Sequence, residues 1–282
     1  MTENKTALVL EGGAMRGLYS AGVLDIFMQN NINVDTIYGV SAGALFGLNY
    51  KSHQIGRALR YNLKYAHEKN YMGLYSLITT GDIMNRDFCF KKLVYELDRL
   101  DFETYKTTPV DFYAVVTNLQ SGNPEYIKID DADKDLEYFR ASGSMPFVSR
   151  PVEIDGNFYL DGAVSDAVPF KKVLDSNYEK IIVVLTRPAG YRKKYTPMPY
   201  KLFYGKFPNF IETAKNSYKK YNETMDLIEK YESENKIIVL RPSETVKMKR
   251  VEKDRKKLQR MYDLGVSDCM KKLDKIKEYI IK

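Results

Sequence analysis

The sequence predicts an α/β fold built on a mostly parallel central sheet. Over most of the 282 residues, short apolar runs typical of buried strands alternate with segments of helical spacing. Two of these runs end in a glycine-containing turn that leads directly into a helical pattern. With 44% hydrophobic residues, the chain can bury a full core, as one large domain or two small ones.

The first predicted unit is a strand, a turn and a helix. Residues 7–10 form a buried-type apolar run, residues 11–17 a glycine-rich turn, and residues 18–29 an amphipathic helical pattern. Paired glycines before a helix leave several backbone N–H groups free, which predicts an anion site. A dinucleotide site is disfavoured, because Ala14 occupies the second glycine position of G-x-G-x-x-G and the next predicted strand does not end in an acidic residue.

The second unit centres on a G-x-S-x-G motif at residues 39–43, with Ser41 in the middle. A β-leaning run precedes the motif, and a small, apolar run with helical spacing follows it. In this context a serine sits on a sharp turn as an exposed nucleophile, and Gly39 and Gly43 leave the space that a Cβ would fill. A plain Gly-Ser turn between a strand and a helix would show the same pattern, so the motif alone does not decide.

The rest of the chain continues the alternation. Residues 44–69 are predicted to be helical and polar-faced, and residues 70–108 to be a helical, tyrosine-rich insertion broken at Gly73 and Gly81. Further strands are predicted at residues 110–116, 126–129, 180–185 and 236–240, with a hairpin turn at Asp155-Gly156. Further helices are predicted around residues 133–142, 211–233 and 250–281.

Ser41 needs a base, since a serine hydroxyl is a poor nucleophile until its proton is taken. The sequence has two histidines, His53 and His67. A helix leaving the turn would carry His53 about 18 Å away, so both are expected to be surface or core residues. An aspartate can act directly when partial burial raises its pKa from near 4. The glycine-rich turn would then have to stabilise the oxyanion.

Three blocks, in this order, resemble the patatin-like phospholipases in their bacterial form. Residues 11–17 (EGGAMRG) resemble the G-G-G-x-R-G oxyanion loop, residues 39–43 match G-x-S-x-G, and residues 161–163 match D-G-A/G. Residues 141–146 and 152–169 are similar as well. The resemblance is good from about residue 6 to residue 186 and weak afterwards.

The resemblance implies a three-layer α/β/α fold and a catalytic domain at residues 6–186. It also implies a serine acyl hydrolase that cleaves carboxylic ester bonds of lipids through an acyl-enzyme, of the phospholipase A or lysophospholipase type. Ser41 would be the nucleophile and Asp161 the proton acceptor. The remaining motif residues would build the site: Gly12, Gly13 and Ala14 as oxyanion hole, Arg16 and Gly17 supporting the loop or the lipid phosphate, Gly39 and Gly43 in the elbow, and Gly162 and Ala163 after the aspartate.

Ala14 departs from the family pattern, which has a third glycine there. Alanine keeps its N–H but does not easily adopt a positive φ. Either the loop does not need that conformation at Ala14 or the oxyanion hole is altered, which leaves weak or narrow activity open. Two other functions stay open as well: a general carboxylesterase or thioesterase using the same residues, and a catalytically idle lipid-binding protein.

Residues 187–282 are expected to form a basic, mostly helical C-terminal extension packed on the same domain. They hold 25 Lys and Arg against 13 Asp and Glu, whereas the first 186 residues hold 19 against 24. A basic face suits an anionic membrane surface, but solvated helix faces are the more ordinary explanation of the charge. The aromatic, proline-rich residues 187–210 are a candidate membrane-facing or lid segment, with ordinary surface packing as the alternative. Nucleic-acid binding rests on this charge alone and is not expected.

The composition indicates in which cellular compartment the protein works and which partners it has. Cys89 and Cys269 lie far apart and fit neither a zinc site nor a disulfide framework, so buried thiols in a reducing compartment are expected. The sequence shows no signal-peptide pattern and no apolar run near the ~18 residues of a membrane span. We therefore expect a cytoplasmic protein that meets a membrane only peripherally, with a lipid or ester substrate and no metal or cofactor.

Overall fold

A computed structural model describes residues 5–281, and the eight strands in that range form one sheet. In chain order the strands are β1 (Thr6–Leu10), β2 (Thr36–Val40), β3 (Asp111–Asn118), β4 (Pro124–Lys128), β5 (Val152–Ile154), β6 (Asn157–Asp161), β7 (Lys180–Val184) and β8 (Ile238–Leu240). The order across the sheet is β5-β6-β3-β2-β1-β7-β8, and β4 pairs with β3. Strands β3, β2, β1, β7 and β8 run parallel, and β4, β5 and β6 add antiparallel pairs.

Helices connect and cover these strands. They are α1 (Leu18–Gln29), α2 (Ala42–Lys51), α3 (Arg57–Tyr65), α4 (Leu74–Thr80), a π-helix (Phe88–Leu97), α5 (Phe102–Thr107), α6 (Leu136–Ser142), α7 (Phe170–Leu174), α8 (Tyr200–Tyr204), α9 (Pro208–Ser233), α10 (Arg255–Lys271) and α11 (Leu273–Ile281). Short 3₁₀ helices occur at Ala14–Gly17 and Gly162–Val164. Within residues 5–281, no helix combines the length and the apolarity needed to cross a membrane.

The two faces of β1 show how the layers form. Successive side chains of a strand point to opposite faces. Leu8 and Leu10 pack into a core that includes α1, α2 and α10, whereas Ala7 and Val9 pack into a second core with α7 and α9. The sheet therefore lies between two helical layers, and the predicted three-layer α/β/α fold is confirmed.

The prediction of an amphipathic α1 is wrong, because the helix is buried on all sides from Leu18 to Phe27. The sheet covers one side of α1, and α10 packs closely on another. A Cβ on Gly22 would lie 2.3 Å from the Tyr262 carbonyl oxygen, and one on Gly265 would lie 2.1 Å from the Tyr19 oxygen. The two glycines let the helix backbones touch, which leaves α1 no solvent-facing side.

Two other predictions also fail in detail. The region 44–69 is not one polar-faced helix, since α2 is almost entirely buried and the chain breaks between α2 and α3. The predicted helix 250–281 begins only at α10 and is divided into two helices at Lys272. Cys89 and Cys269 are buried free thiols, as predicted.

The C-terminal residues belong to the same layers as the rest of the chain. Strand β8 pairs in parallel with β7, α9 covers the face that α7 covers, and α10 packs on α1. The segment that precedes α8, residues 191–199, has no regular helix or strand. This arrangement brings both the segment and the loop between β8 and α10 to the end of the sheet that carries Ser41.

Candidate active site

Ser41 lies on the sharp turn between β2 and α2. Its backbone has φ 53° and ψ −122°, a conformation that costs about 1–3 kcal/mol in a non-glycine residue. The flanking glycines are required by space: a Cβ on Gly39 would lie 2.6 Å from Ala44 Cα, and one on Gly43 would lie 2.4 Å from the Leu10 oxygen. The turn therefore has the geometry of a nucleophile elbow.

The register of β3 explains how Asp161 reaches Ser41. Val40, the last residue of β2, pairs with Val115 of β3. The next residue of β3, Val116, pairs with Asp161 at the end of β6. Strand β3 thus exchanges β2 for β6 at this point, and the residue that follows β2 meets the residue that ends β6.

The side chains of Ser41 and Asp161 are joined by a hydrogen bond. Ser41 Oγ donates to Asp161 Oδ2 at 2.7 Å, and the Ala163 N–H donates to Asp161 Oδ1 at 2.8 Å. Ser41 and Asp161 are only 6% and 4% exposed. Burial raises the pKa of Asp161 to about 6, although these two hydrogen bonds and the charges of Lys193 and Arg250 oppose the rise. A carboxylate with such a pKa can accept a proton near neutral pH.

Asp161 is held on its main chain as well. Its N–H donates to the Ser144 oxygen at 2.8 Å, and its carbonyl oxygen accepts from Thr117 Oγ1 at 2.8 Å. The following glycine is required by space, because a Cβ on Gly162 would lie 2.3 Å from the Val115 oxygen. The D-G-A motif therefore fixes the carboxylate against the sheet.

Ser142 holds the turn that carries Ser41, and the sequence reasoning missed this contact. Its Oγ accepts from the Ser41 N–H at 2.8 Å and donates to the Val115 oxygen at 2.7 Å. The hydroxyl thereby ties the turn that carries Ser41 to β3. Its position in the block 141–146, which resembles the family, was the available signal, but a sequence cannot show which partner a hydroxyl has.

The glycine-rich loop passes directly against Ser41. A Cβ on Gly12 would lie 2.9 Å from Ser41 Cβ, and one on Gly13 would lie 2.5 Å from Thr186 Oγ1. Among the described residues, no acceptor bonds the N–H groups of Gly12, Gly13 or Ala14. These free donors beside a serine suit an oxyanion.

Ala14 adopts φ 48°. The loop thus takes the left-handed conformation at the position where the family has glycine. Of the two alternatives that the sequence left open at Ala14, the first is excluded, because the loop does adopt this conformation there. The N–H of Ala14 is retained, and the side chain adds backbone strain.

Arg16 and Gly17 close the loop. A Cβ on Gly17 would lie 2.7 Å from Ala42 Cβ, so the loop packs tightly on α2. Arg16 Nε is buried and has no hydrogen-bond partner among the described residues. Burial, followed by the neighbouring Arg187, lowers the pKa of Arg16.

Two cavities meet at Ser41. One, of about 90 Å³, is narrow and almost wholly apolar, and it runs among α2, α3, the π-helix and the residues between them. The other, of about 610 Å³, is lined by Asp161, by the glycine-rich loop and by many basic side chains. Ala14, Met145 and Arg250 lie at the junction, because they line both.

Neither histidine takes part in this arrangement. His53 follows α2, His67 follows α3, and neither lines either cavity. Within residues 5–281, no group of three or more His, Cys, Asp or Glu side chains could hold a metal ion.

The family profile for patatin-like phospholipases matches residues 8–174, more than half of the chain, and this range includes all three motifs. The chain belongs to the patatin-like phospholipase family. A second profile, described as a domain of unknown function (DUF6363), matches residues 207–281. This patatin-like chain therefore joins a known catalytic family to a region without an assigned role.

Several proteins resemble this patatin-like chain. The uncharacterized protein YjjU of Escherichia coli K12 is 29% identical over 205 residues, which cover 70% of this chain and 56% of YjjU. Lysophospholipase NTE1 of Saccharomyces cerevisiae is 29% identical over 204 residues, 68% of this chain and 11% of that protein. An uncharacterized NTE family protein of Mycobacterium bovis, Mb1092c, is 24% identical over 180 residues, 64% of this chain and 48% of the relative.

The patatin-like chain thus spans about half the length of YjjU and Mb1092c, and about a tenth of the yeast protein. Among solved structures, VipD from Legionella pneumophila aligns with a TM-score of 0.47 at 12% identity, covering 97% of this chain and 67% of VipD.

Proposed function

We propose that the protein is a serine acyl hydrolase that cleaves carboxylic esters of lipids, of the phospholipase A or lysophospholipase type, by a Ser41–Asp161 dyad. The observation that carries the proposal is the 2.7 Å hydrogen bond from Ser41 Oγ to Asp161 Oδ2 at the junction of an apolar and a basic cavity. The names of relatives such as the yeast lysophospholipase support a lipid ester as substrate.

In the first half of the reaction, Asp161 takes the proton of Ser41 as Oγ attacks the ester carbonyl carbon. The carbonyl π electrons move to oxygen, and the N–H groups of Gly12, Gly13 and Ala14 donate to this oxyanion. When the oxyanion collapses, the bond to the alcohol oxygen breaks. Asp161 returns its proton to the leaving alcohol, and the acyl group stays on Ser41.

In the second half, water replaces the alcohol. Asp161 takes one proton of the water as its oxygen attacks the acyl carbon, and the same amides stabilise the second oxyanion. The bond to Ser41 Oγ breaks, Oγ takes the proton from Asp161, and the fatty acid leaves. The raised pKa of Asp161 suits proton transfer in both directions, since a carboxyl group with a pKa of about 6 both accepts a proton and returns it readily near neutral pH.

A fluorophosphonate probe tests the nucleophile. We expect the probe to label the wild-type protein and not Ser41→Ala, whereas Ser233→Ala, which changes an exposed serine on α9, should be labelled like wild type. Asp161→Asn should lower turnover by about 10²–10⁴-fold, the usual contribution of a general base. Labelling that persists in Ser41→Ala, or full esterase activity in Asp161→Asn, would overturn the dyad.

A substrate panel separates this function from the alternatives. Phospholipid, lysophospholipid, short p-nitrophenyl ester and acyl thioester should be compared, with the products identified by mass spectrometry. A lipid hydrolase should release fatty acid from a lipid fastest. Fastest turnover of the short ester or the thioester would instead indicate a general carboxylesterase or thioesterase, and no turnover above Ser41→Ala would indicate a lipid-binding protein.

We further propose that the rim of the active site contacts an anionic membrane surface. On α8, Leu202 and Phe203 are 80% and 60% exposed, and on α4, Leu74 and Ile78 are 70% and 75% exposed. Single exposed apolar side chains are common, but two on each of two short helices suit contact with lipid.

Residues 147 and 148 connect both helices with the basic cavity. Phe147, which lines the basic cavity, contacts the Phe203 ring at 5.4 Å between centroids. The oxygen of Val148 accepts from the Ile83 N–H at 2.7 Å, just beyond α4. The exposed side chains therefore flank the entrance, where a lipid would leave a bilayer.

Vesicle sedimentation tests this contact. The Leu202→Ser/Phe203→Ser double variant should bind phosphatidylglycerol vesicles less than wild type does, because the apolar anchor is lost. Ile281→Ser, which removes an 83% exposed apolar side chain from α11, is the matched control and should bind like wild type. Equal binding by all three proteins would contradict the contact.

A further inference from the structure

The larger cavity gathers basic side chains from distant parts of the chain, and four of them come from three segments. Arg16 comes from the glycine-rich loop, Arg187 and Lys193 from the segment after β7, and Arg250 from the loop between β8 and α10. All four line the same space as Ser41 and Asp161. Only Arg16 lies within the match to the patatin-like profile, and Arg250 lies in the region of unknown function.

None of these four side chains makes an ion pair with any residue between 5 and 281. Their neighbour Arg192 shows the contrast. Arg192 lines the same cavity, but its guanidinium binds Asp226 at 2.6 Å and Glu229 at 2.8 Å. The charge of Arg192 is therefore neutralised within the protein, whereas the other four remain available to a ligand.

The unpaired cations of the C-terminal half are held in place rather than left free in solvent. The ammonium of Lys193 lies 4.3 Å from the centre of the Tyr221 ring, and its main chain is bonded twice by Asn222, at 2.8 and 3.0 Å. The guanidinium of Arg187 lies 4.4 Å from the centre of the Tyr191 ring. The Arg250 oxygen accepts from the Met15 N–H at 3.4 Å, which ties its loop to the oxyanion loop.

Two carboxylates share the cavity, and they do not cancel the charge. Glu11 has both oxygens engaged, by Tyr221 Oη at 2.9 Å and by Thr186 on the other side. Asp161 is engaged by Ser41 and Ala163. The four cations outnumber the two carboxylates, and Lys194 and Lys215 line the cavity as well. Such a surplus of positive charge in a partly desolvated cavity is stabilised by a bound anion.

The two cavities also fix which part of an ester meets the cations. The apolar cavity on one side of Ser41 suits the acyl chain, which leaves the basic cavity on the other side for the alcohol part of the ester. The leaving group is thus the part that meets the positive charge. In a lysophospholipid a glycerol unit carries the scissile ester and the phosphate, which places the phosphate within the same cavity.

We propose that Arg187, Lys193 and Arg250, with Arg16, form a subsite for a phosphate group on the leaving alcohol, as in a lysophospholipid. This inference rests on the proposed hydrolase function. It gives the segment after β7 and the C-terminal region a role that completes the active site: they supply the charges that select a phosphate-bearing ester over a neutral one. Arginine suits this role because its planar guanidinium binds phosphate through two N–H groups.

The test compares two substrates with the same acyl chain, 1-palmitoyl-lysophosphatidylglycerol and 1-palmitoylglycerol, in micelles of a neutral detergent. The measured quantity is the ratio of their kcat/KM values. We expect wild type to favour the phosphate-bearing substrate, and Arg250→Gln and Lys193→Met each to lower the ratio about tenfold, the effect of one charge-assisted hydrogen bond. Lys249→Gln, next to Arg250 and outside both cavities, should keep the wild-type ratio.

The ratio also removes a second effect of these substitutions. Lys193 and Arg250 lower the pKa of Asp161, so losing either of them raises that pKa and leaves less of the carboxylate ionised for both substrates alike, and this effect cancels in the ratio. Palmitoyl-CoA, whose phosphates lie farther from the scissile bond, identifies the source of the phosphate. If Arg250→Gln and Lys193→Met lower the kcat/KM for palmitoyl-CoA more than the kcat/KM for the lysophospholipid, the glycerophosphate assignment is overturned.

The failure of the subsite and the failure of the hydrolase proposal give different results. If both glycerol-based substrates are hydrolysed and the ratio is the same in wild type, Arg250→Gln and Lys193→Met, the phosphate subsite is overturned while the hydrolase stands. If wild type hydrolyses neither substrate, the hydrolase proposal fails. Calorimetric binding of glycerol 3-phosphate to wild type then decides the subsite: binding that Arg250→Gln weakens and Lys249→Gln does not supports it, and absence of binding overturns it.

Discussion

Tyr221 of α9 donates its hydroxyl to Glu11 Oε1 at 2.9 Å, although 210 residues separate them in sequence. Glu11 is the residue immediately before Gly12, and its other carboxylate oxygen accepts from Thr186. Glu11 is 3% exposed. Helix α9 thus supports the start of the glycine-rich loop, and we expect a change in Tyr221 to affect the amides of Gly12 and Gly13.

We predict that Tyr221→Phe lowers kcat several-fold and leaves KM within about twofold. The substitution leaves one oxygen of a buried carboxylate without its donor, which costs about 1–3 kcal/mol, and the loop carrying Gly12 and Gly13 loses its support. Steady-state kinetics on a p-nitrophenyl ester, with urea unfolding of the same variant, measures both effects.

Tyr231→Phe is the matched control, since Tyr231 lies on the same helix and packs its ring against Phe170. No hydrogen bond of its hydroxyl occurs among the described residues, so kinetics like those of wild type are expected. An unchanged kcat in Tyr221→Phe would show that Glu11 keeps the loop in place without this helix.

Ser142→Ala should lower kcat more than it raises KM. Its Oγ is the acceptor for the Ser41 N–H and the donor to Val115, so the variant leaves two buried main-chain groups unpaired next to a strained φ. Ser144→Ala is the control, because Ser144 Oγ donates only to the main-chain oxygen of Arg140. The substitution leaves in place the main-chain oxygen of Ser144, which accepts from the Asp161 N–H. Equal losses in the two variants would mean that Ser142 acts through general packing.

The sequence was sufficient for the fold and for the motif positions because these depend on local patterns. The apolar runs predicted β1, β2, β3 and β7. The glycines on either side of Ser41 predicted the elbow, because a turn this tight leaves no room for a Cβ at those positions. Strands have period two and turns have strict steric demands, so both leave a readable trace.

The remaining features depend on contacts that sequence spacing does not encode. The burial of α1 follows from α10, which lies more than 200 residues later, and the role of Ser142 follows from the register of β3. The cations Lys193 and Arg250 look like solvated charge in a basic C-terminal stretch. Arg192 lines the same cavity, and only the structure shows that its charge is paired with Asp226 and Glu229, whereas Lys193 and Arg250 have no ion pair within residues 5–281.

Activity should depend on pH through Asp161. Burial raises the pKa of Asp161 from 3.8 to about 6, and the residue must be ionised to accept a proton. The kcat/KM for a neutral ester should therefore rise with pH, reach half of its plateau at about pH 6 and then level off, with about a tenth of the plateau remaining at pH 5. A profile that is flat between pH 5 and pH 8 would contradict a carboxylate base with this pKa.

Lys193→Met should move this acid limb to higher pH. The positive charge of Lys193 lowers the pKa of Asp161, so its removal raises that pKa, and the carboxylate then needs a higher pH to ionise. Lys249→Gln removes a charge outside both cavities and should leave the midpoint in place. A shift to lower pH in Lys193→Met would have the wrong sign for this electrostatic relationship.

Ala14→Gly should stabilise the protein by about 0.5–1 kcal/mol in urea unfolding. Ala14 adopts φ 48°, and the left-handed conformation costs a residue with a Cβ about 1–2 kcal/mol, of which glycine's extra unfolded-state entropy offsets only part. Ala58→Gly, in the regular helix α3, should instead destabilise by about 1 kcal/mol. If both variants destabilise equally, the loop does not hold this conformation in solution.

The same variant also tests the oxyanion donors, since the N–H of residue 14 is present with either side chain. A higher kcat in Ala14→Gly would mean that the strain at Ala14 displaces an oxyanion donor. An equal kcat would mean that the alanine lowers only the stability of the fold.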